Sequence, residues 1–256
     1  MPDVLEHSRR YWQYEYNVSA RYMVPLLKEW GVDLQQASVL DVGCGEGGGV
    51  CGLADAGARC AGFDIDSHRI GVANALMGDR AIPFVSGNMY EPTIPFAGTE
   101  FDLVVLHDVF EHLEDKQAML RKLNSYMKPG GKLLITFPPY FSAFGAHQQH
   151  LRSPFLRLPF AHLVPFALSR ILPRLKGEDP TVTREIEKLD RLRMGIRSFE
   201  RIARASGLSI VRKQAYLVSP NHIRFGLRPL RAGFLASVPL VAEVFCSGVA
   251  YLLSRE

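Results

Sequence analysis

The chain has 256 residues, 47% of them hydrophobic and 22% charged, with a formal net charge of +4. That length can bury a full core in one domain, and the absence of internal repeats and biased tracts excludes a repeat or low-complexity architecture. Cys44, Cys51, Cys60 and Cys246 form no C-x-x-C pair and no metal spacing with histidine. They are read as reduced thiols, with no disulfide framework and no metal site expected. No basic start leads into an apolar run, so a signal peptide is not expected and the localisation expected is cytoplasmic.

Residues 1–35 read as helical and rich in aromatic side chains. Tyr11, Trp12, Tyr14 and Tyr16 either line a site or pack the helices onto the core, and their helical spacing favours packing. The stretch Val39-Leu40-Asp41-Val42-Gly43-Cys44-Gly45-Glu46-Gly47-Gly48-Gly49 follows. Its apolar part predicts a buried parallel strand, and its glycines a strand-to-helix turn against which a ligand can press. Gly62-Phe63-Asp64-Ile65-Asp66 ends a second apolar strand with an acid. A glycine turn followed at this spacing by an acid holds an adenosine-containing cofactor, with backbone against its charged tail and carboxylate on its ribose. Read from Gly43, the loop also satisfies the bare G-x-G-x-x-G pattern of dinucleotide folds. Asp41 before it and Glu46 inside it suit an ammonium group better than a pyrophosphate.

Phe84 to Met89 reads as a third strand and its end. Phe101 to Asp108 reads as a fourth, followed by Val109-Phe110-Glu111-His112-Leu113. Met119 to Leu123 has helical apolar spacing. Lys128-Pro129-Gly130-Gly131 predicts a sharp turn, and Lys132 to Phe137 a fifth strand. The segment Asp41-Val42-Gly43-Cys44-Gly45 closely resembles the first motif of class I methyltransferases that use S-adenosylmethionine. Residues 36–140 follow that family's order of segments, including its short E-H-L signature at Glu111-His112-Leu113.

The resemblance implies a Rossmann-like α/β fold: a three-layer αβα sandwich around a seven-stranded, mostly parallel sheet whose last strand is antiparallel. One domain is expected over 1–256. Residues 1–35 would form a helical cover, 36–140 the cofactor-binding core, 141–197 a basic, apolar helical lid inserted after the fifth strand, and 198–256 the last helix and strands. S-adenosylmethionine is the cofactor implied. Asp41, Gly43, Cys44 and Gly45 would face its methionine part. Asp64 would take the ribose hydroxyls, with Asp66 as fallback. Ile65 would pack on adenine, Asn88 and Met89 would read the adenine edge, and His107 would lie under the methionine tail. Many relatives carry Asp where this chain has Asn88; the amide oxygen still accepts from an exocyclic amine. Cys44 fills a position that needs only a small residue.

Methyl transfer from a sulfonium asks the protein mainly for orientation and exclusion of water. A phenol or alcohol acceptor also needs a base, and His107, His147 and His150 are the candidates. His112 is read as orienting a neighbouring loop, and Asp108 and Glu111 as acidic neighbours. Residues 151–213 hold 14 Lys+Arg against 6 Asp+Glu, so positive charge concentrates in and just after the lid. An anionic acceptor, an anionic membrane surface, or a solvated helix without a specific task each account for it.

The twenty residues Phe234 to Leu253 approach spanning length, but Pro239 and Glu243 interrupt them, so they are expected to form a connection and a closing strand. The function expected is O-methylation of a small or lipid-like acceptor of quinone or phenol type. Ubiquinone-pathway O-methyltransferases offer the architectural analogy. A sugar or nucleotide-sugar methyltransferase, a non-catalytic cofactor-binding protein and an NAD-dependent oxidoreductase are the alternatives. The partners expected are the acceptor and, through the basic lid, the inner surface of a membrane. Nucleic acid is not expected.

Overall fold

The computed structural model describes residues 2–91, 95–163 and 177–255, and side chains from Glu6 onward. The N-terminal segment is helical as expected: α1 (Pro2–Val18), a π turn (Ser19–Met23) and α2 (Val24–Glu29). Alternating elements follow: β1 (Ser38–Val42), α3 (Gly48–Asp55), β2 (Arg59–Asp64), α4 (Ser67–Leu76), β3 (Phe84–Ser86), β4 (Phe101–His107), α5 (Lys116–Asn124) and β5 (Met127–Phe137). After the insertion come α6 (Pro180–Leu192), α7 (Ile196–Ala205), β6 (Leu208–Val218), β7 (Leu230–Arg231), α8 (Pro239–Phe245) and β8 (Gly248–Arg255).

The strands form one sheet in the order β3-β2-β1-β4-β5-β8-β6-β7. β1 pairs in parallel with β2 and β4, and β4 with β5, while β8 lies antiparallel between β5 and β6. β1 and β4 are apolar and buried on both faces, as a covered parallel sheet requires. Their alternate residues feed two cores. Val39, Leu103, Val105 and Leu134 pack under α2, α3 and α4, whereas Leu40, Val104, Leu106 and Leu133 pack under α5 and α7. The chain reverses its direction of travel across the sheet between β1 and β4, which opens a crevice at their carboxyl ends.

The seven expected strands are present, and a short eighth, β7, is added at the edge beside β6. The predicted sharp turn at Lys128-Pro129-Gly130-Gly131 is instead a bulge inside β5. Phe101 pairs with Met127 and Leu103 already with Lys132, and Gly130 takes φ +79° to absorb the excess chain. The apolar run 234–253 is divided among a 3₁₀ turn (Gly233–Ser237), α8 and β8. Glu243 explains the acid in that run: its carboxylate accepts from the N–H groups of Ile196 and Arg197 and so caps α7 from outside. Among the described residues, no helix is long and apolar enough to cross a membrane.

The insertion builds its own small core from Tyr140, Ala146, Leu151 and Ile186, which ties it to α6. Asp179 caps α6, with Pro180 at the first helical position. Several of its bases are held internally: Arg193 by Asp190, and Arg152 by the Gly177 carbonyl. Arg191 is paired with Glu114 outside the insertion. Residues 164–176, which carry part of the expected lid, lie outside the described residues.

Candidate active site

A cleft of about 630 Å³ opens at the carboxyl ends of β1, β2 and β4. Gly43, Asp64, Ile65, Asn88, Met89 and His107 line one part of it, and His147 and His150 from the insertion line another. The nine residues expected at the cofactor and the three expected at the acceptor are therefore gathered into one region. Asp41, Cys44 and Gly45 stand behind the lining, in the turn that shapes it.

The glycine loop is fixed from beneath. Gly43 and Cys44 both donate to the Phe63 carbonyl. Gly43 has φ +80°, and a Cβ there would lie 2.5 Å from Val109. Asp64 accepts from the N–H of Gly45 and of Asp66, both at 2.9 Å, and its second lone pairs remain available towards the cleft. Asp66, the fallback, is engaged elsewhere: it caps α4 through the N–H groups of His68 and Arg69. Ile65 is 68% exposed and lines the cleft. Asn88 uses its amide oxygen to accept from Tyr90 N–H, and the Met89 carbonyl accepts from Lys122. Cys44 is packed against Gly62, and burial pushes its thiol up, so it serves as a small wall residue.

Acidic groups gather behind the loop. Asp41 is 5% exposed, and its Oδ1 has no hydrogen-bond partner. Burial, and then the neighbouring Asp64, push it up to about 7. Glu15 from α1 is raised well above the carboxylate range by burial and then by Glu46, and its Oε2 is also without a partner. Arg69 is the cation facing them, 2.6 Å from Glu46 and 3.9 Å from Glu15. Four carboxyl groups against one guanidinium, with buried oxygens unsatisfied and two of them ready to ionise beside a cation, fit a cofactor whose tail is cationic and disfavour a pyrophosphate.

The aromatic residues of α1 divide between the two expected roles. Tyr11 and Tyr14 line the cleft. Trp12 and Tyr16 stack at 5.4 Å and pack on the core.

At the tip of β4, His107 Nδ1 lies 2.7 Å from Thr136 Oγ1, which donates to Asp108. Asp108 holds φ +54°, a left-handed backbone at the tip of β4, and Asn221 donates to its other oxygen. His147 has φ +58° and is lowered by burial and then by His112. His150 is lowered by burial, then by Arg224 and Arg157.

Three contributors were not expected in these roles: His112, Glu185 and Lys188 all line the cleft. His112 Nδ1 is 2.5 Å from Glu185 on α6, so it bonds a helix of the insertion rather than a loop. Its ring meets that of His147 at 5.4 Å. Glu111, 2% exposed and raised by burial, has both carboxylate oxygens without hydrogen bonds among the described residues. Glu111, His112 and His147 present ligand atoms within 4.8 Å of one another, a donor set suited to sharing a proton or to a divalent cation. The E-H-L segment was the sequence signal for two of them. Nothing in the sequence signalled that His147 and Glu185 would join it.

Residues 40–135 match the family model described as a methyltransferase domain. That segment is a methyltransferase domain. The domain is similar to phosphoethanolamine N-methyltransferase of Plasmodium falciparum, 35% identical over 106 residues, which are 40% of this chain and 39% of that protein. It is also similar to phosphoethanolamine N-methyltransferase 2 of Caenorhabditis elegans, 26% identical over 130 residues, 50% of this chain and 29% of that protein. This chain thus spans well under half the length of these curated relatives. Among solved structures, magnesium protoporphyrin IX methyltransferase from Synechocystis, with bound SAH, aligns at TM-score 0.55 and 18% identity, over 94% of this chain and 84% of that one. A TehB-like SAM-dependent methyltransferase from Corynebacterium glutamicum aligns at TM-score 0.56 and 15% identity over the whole of both chains. At these identities the structural likeness carries the fold of the methyltransferase domain.

Proposed function

We propose that the protein transfers a methyl group from S-adenosylmethionine to a small-molecule acceptor held between the glycine loop and the insertion. The observation that carries this reading is the cluster of Asp41, Glu15, Glu46 and Asp64 behind a glycine loop, inside a domain that matches the methyltransferase family. The cofactor, when bound, supplies the activated methyl carbon. Asp41 and the loop hold the methionine end, Asp64 the ribose, and Ile65 and Asn88 the adenine. The insertion covers the acceptor and excludes water.

The acceptor proposed is a hydroxyl of a quinone- or phenol-type molecule, because three histidines, His107, His147 and His150, line the cleft. His107, His147 or His150 would receive the hydroxyl proton as the methyl group is transferred. The test is transfer of labelled methyl from S-adenosylmethionine into an extract, followed by mass spectrometry of the product. An O-methyl ether supports the reading, an N-methyl product refutes the acceptor class, and no transfer to any fraction refutes the activity.

A further inference from the structure

The connection between β6 and β8 is packed inside out. Its buried anchors are small or charged: Ala232, Ala242 and Glu243. Many of its large apolar side chains are exposed, among them Phe225, Leu227, Leu230, Phe234, Leu240 and Phe245, with Phe234 81% and Leu240 71% exposed, while Ile223, Leu235, Val241 and Val244 are half-buried. A connection that only joined two strands would bury these and expose the alanines. Scattered exposed apolar residues are normal, but six within one short connection are not.

The charge of residues 221–245 points to what covers them. The bases are Arg224, Arg228 and Arg231, and the acid is Glu243. Glu243 is turned inward onto α7, so the charged side chains left on the outer face are bases. Arg231 pairs with Glu29, while Arg224 and Arg228 have no carboxylate within ion-pair distance among the described residues. Arg224 also lines the mouth of the cleft beside His150. On the insertion, Phe155 is 81% and Leu158 55% exposed, flanking Arg157, whose charge reaches His150 together with that of Arg224. Basic residues of both segments therefore lie within electrostatic reach of His150 in the cleft.

We propose that the connection 221–245 is a docking surface for an anionic lipid bilayer, on which it seats the protein with the mouth of its cleft towards the lipid. Phe234, Leu240 and Phe245 would enter the headgroup and upper acyl region, and Arg224 and Arg228 would meet lipid phosphates. The orientation of the cleft rests on the methyl-transfer reading, whereas the docking itself rests on the exposed side chains of this connection.

The test is co-sedimentation of the full chain with phosphatidylcholine vesicles, with and without about one-third phosphatidylserine. Wild type should sediment with the anionic vesicles and much less with the neutral ones. Phe234→Asp with Leu240→Asp should weaken partitioning by roughly tenfold or more, and Arg228→Ala by about fivefold. S-adenosylhomocysteine affinity, read by calorimetry, should be the same in all three proteins and shows that the variants are folded. Wild type that ignores anionic vesicles overturns the proposal. So does undiminished binding of both variants alongside loss in Phe155→Asp, which assigns docking to the insertion instead. A wild-type dimer in solution that Phe234→Asp dissociates overturns it as well, and assigns the face to a second copy of the chain.

Discussion

Asp41 makes cofactor affinity depend on pH, with a sign and a size that follow from its surroundings. Its side chain is buried, Oδ1 is unpartnered, and its carboxyl titrates at about 7 in the ligand-free protein. A bound ammonium or sulfonium stabilises the carboxylate, so binding expels the proton wherever the free protein still holds it. At pH 6 only about one molecule in eleven has Asp41 ionised, whereas at pH 8 nearly all do. Affinity for S-adenosylmethionine should therefore rise about tenfold between pH 6 and pH 8, about 1.4 kcal/mol, and level off above. The stability of the ligand-free protein runs the other way. Asp41 keeps its proton to about pH 7 when folded and loses it near 4 when unfolded, so unfolding becomes easier as pH rises through that window. Glu15 lies in the same cluster and is raised as well, so the share of Asp41 needs its own control. Calorimetry at pH 6 in two buffers of different ionisation enthalpy measures protons released on binding. Asp41→Asn should release about one proton fewer than wild type and lose roughly 1.5–3 kcal/mol of affinity at pH 8. Equal proton release by the two proteins would refute the reasoning.

Other residues give independent tests. Asp64→Ala should weaken S-adenosylhomocysteine binding by roughly 1.5–3 kcal/mol through lost charge-assisted bonds, and calorimetry reads it directly. Gly43→Ala places a methyl 2.5 Å from Val109 on a left-handed backbone, so its melting temperature should fall by several degrees and cofactor affinity with it. Replacing the histidine that serves as base by Ala should slow turnover by roughly 10²–10⁴-fold with little change in cofactor affinity. If none of His107, His147 and His150 shows this, the acceptor needs no base from them. Glu185→Gln should lower the pKa of His112, visible by NMR titration of its ring protons, because it removes the carboxylate 2.5 Å from Nδ1.

The residues proposed for the cofactor were legible as a group because they sit within short runs, and the structure gathers them in and behind one cleft. Asp41 to Gly49 is a strand and its turn, Asp64-Ile65 the end of the next strand, and local chemistry dictates what each can do. Asp66 shows where that legibility ends: one acid in the pair Asp64-Ile65-Asp66 faces the cleft and the other caps α4, and spacing alone does not choose. The acceptor half was less legible because it is assembled over long separations. His112 meets Glu185 from an inserted helix, His147 arrives on a left-handed turn, and Asn221 comes from beyond β6 to hold Asp108. Glu243 read as an obstacle inside an apolar run until the structure placed it at the N-terminus of α7. The extra strand β7 and the bulge in β5 were hidden for a similar reason. Leu230-Arg231 is too short to carry a pattern, and Gly130-Gly131 signals a turn whether it ends a strand or kinks one.

The most direct test of the central claim compares two nucleoside cofactors on one protein. Calorimetric titration with S-adenosylmethionine and, separately, with NAD should give saturable one-to-one binding of the first and none of the second, because the pyrophosphate would face Asp41, Glu15 and Glu46 across the glycine loop. Binding of NAD, or of neither, would contradict the account.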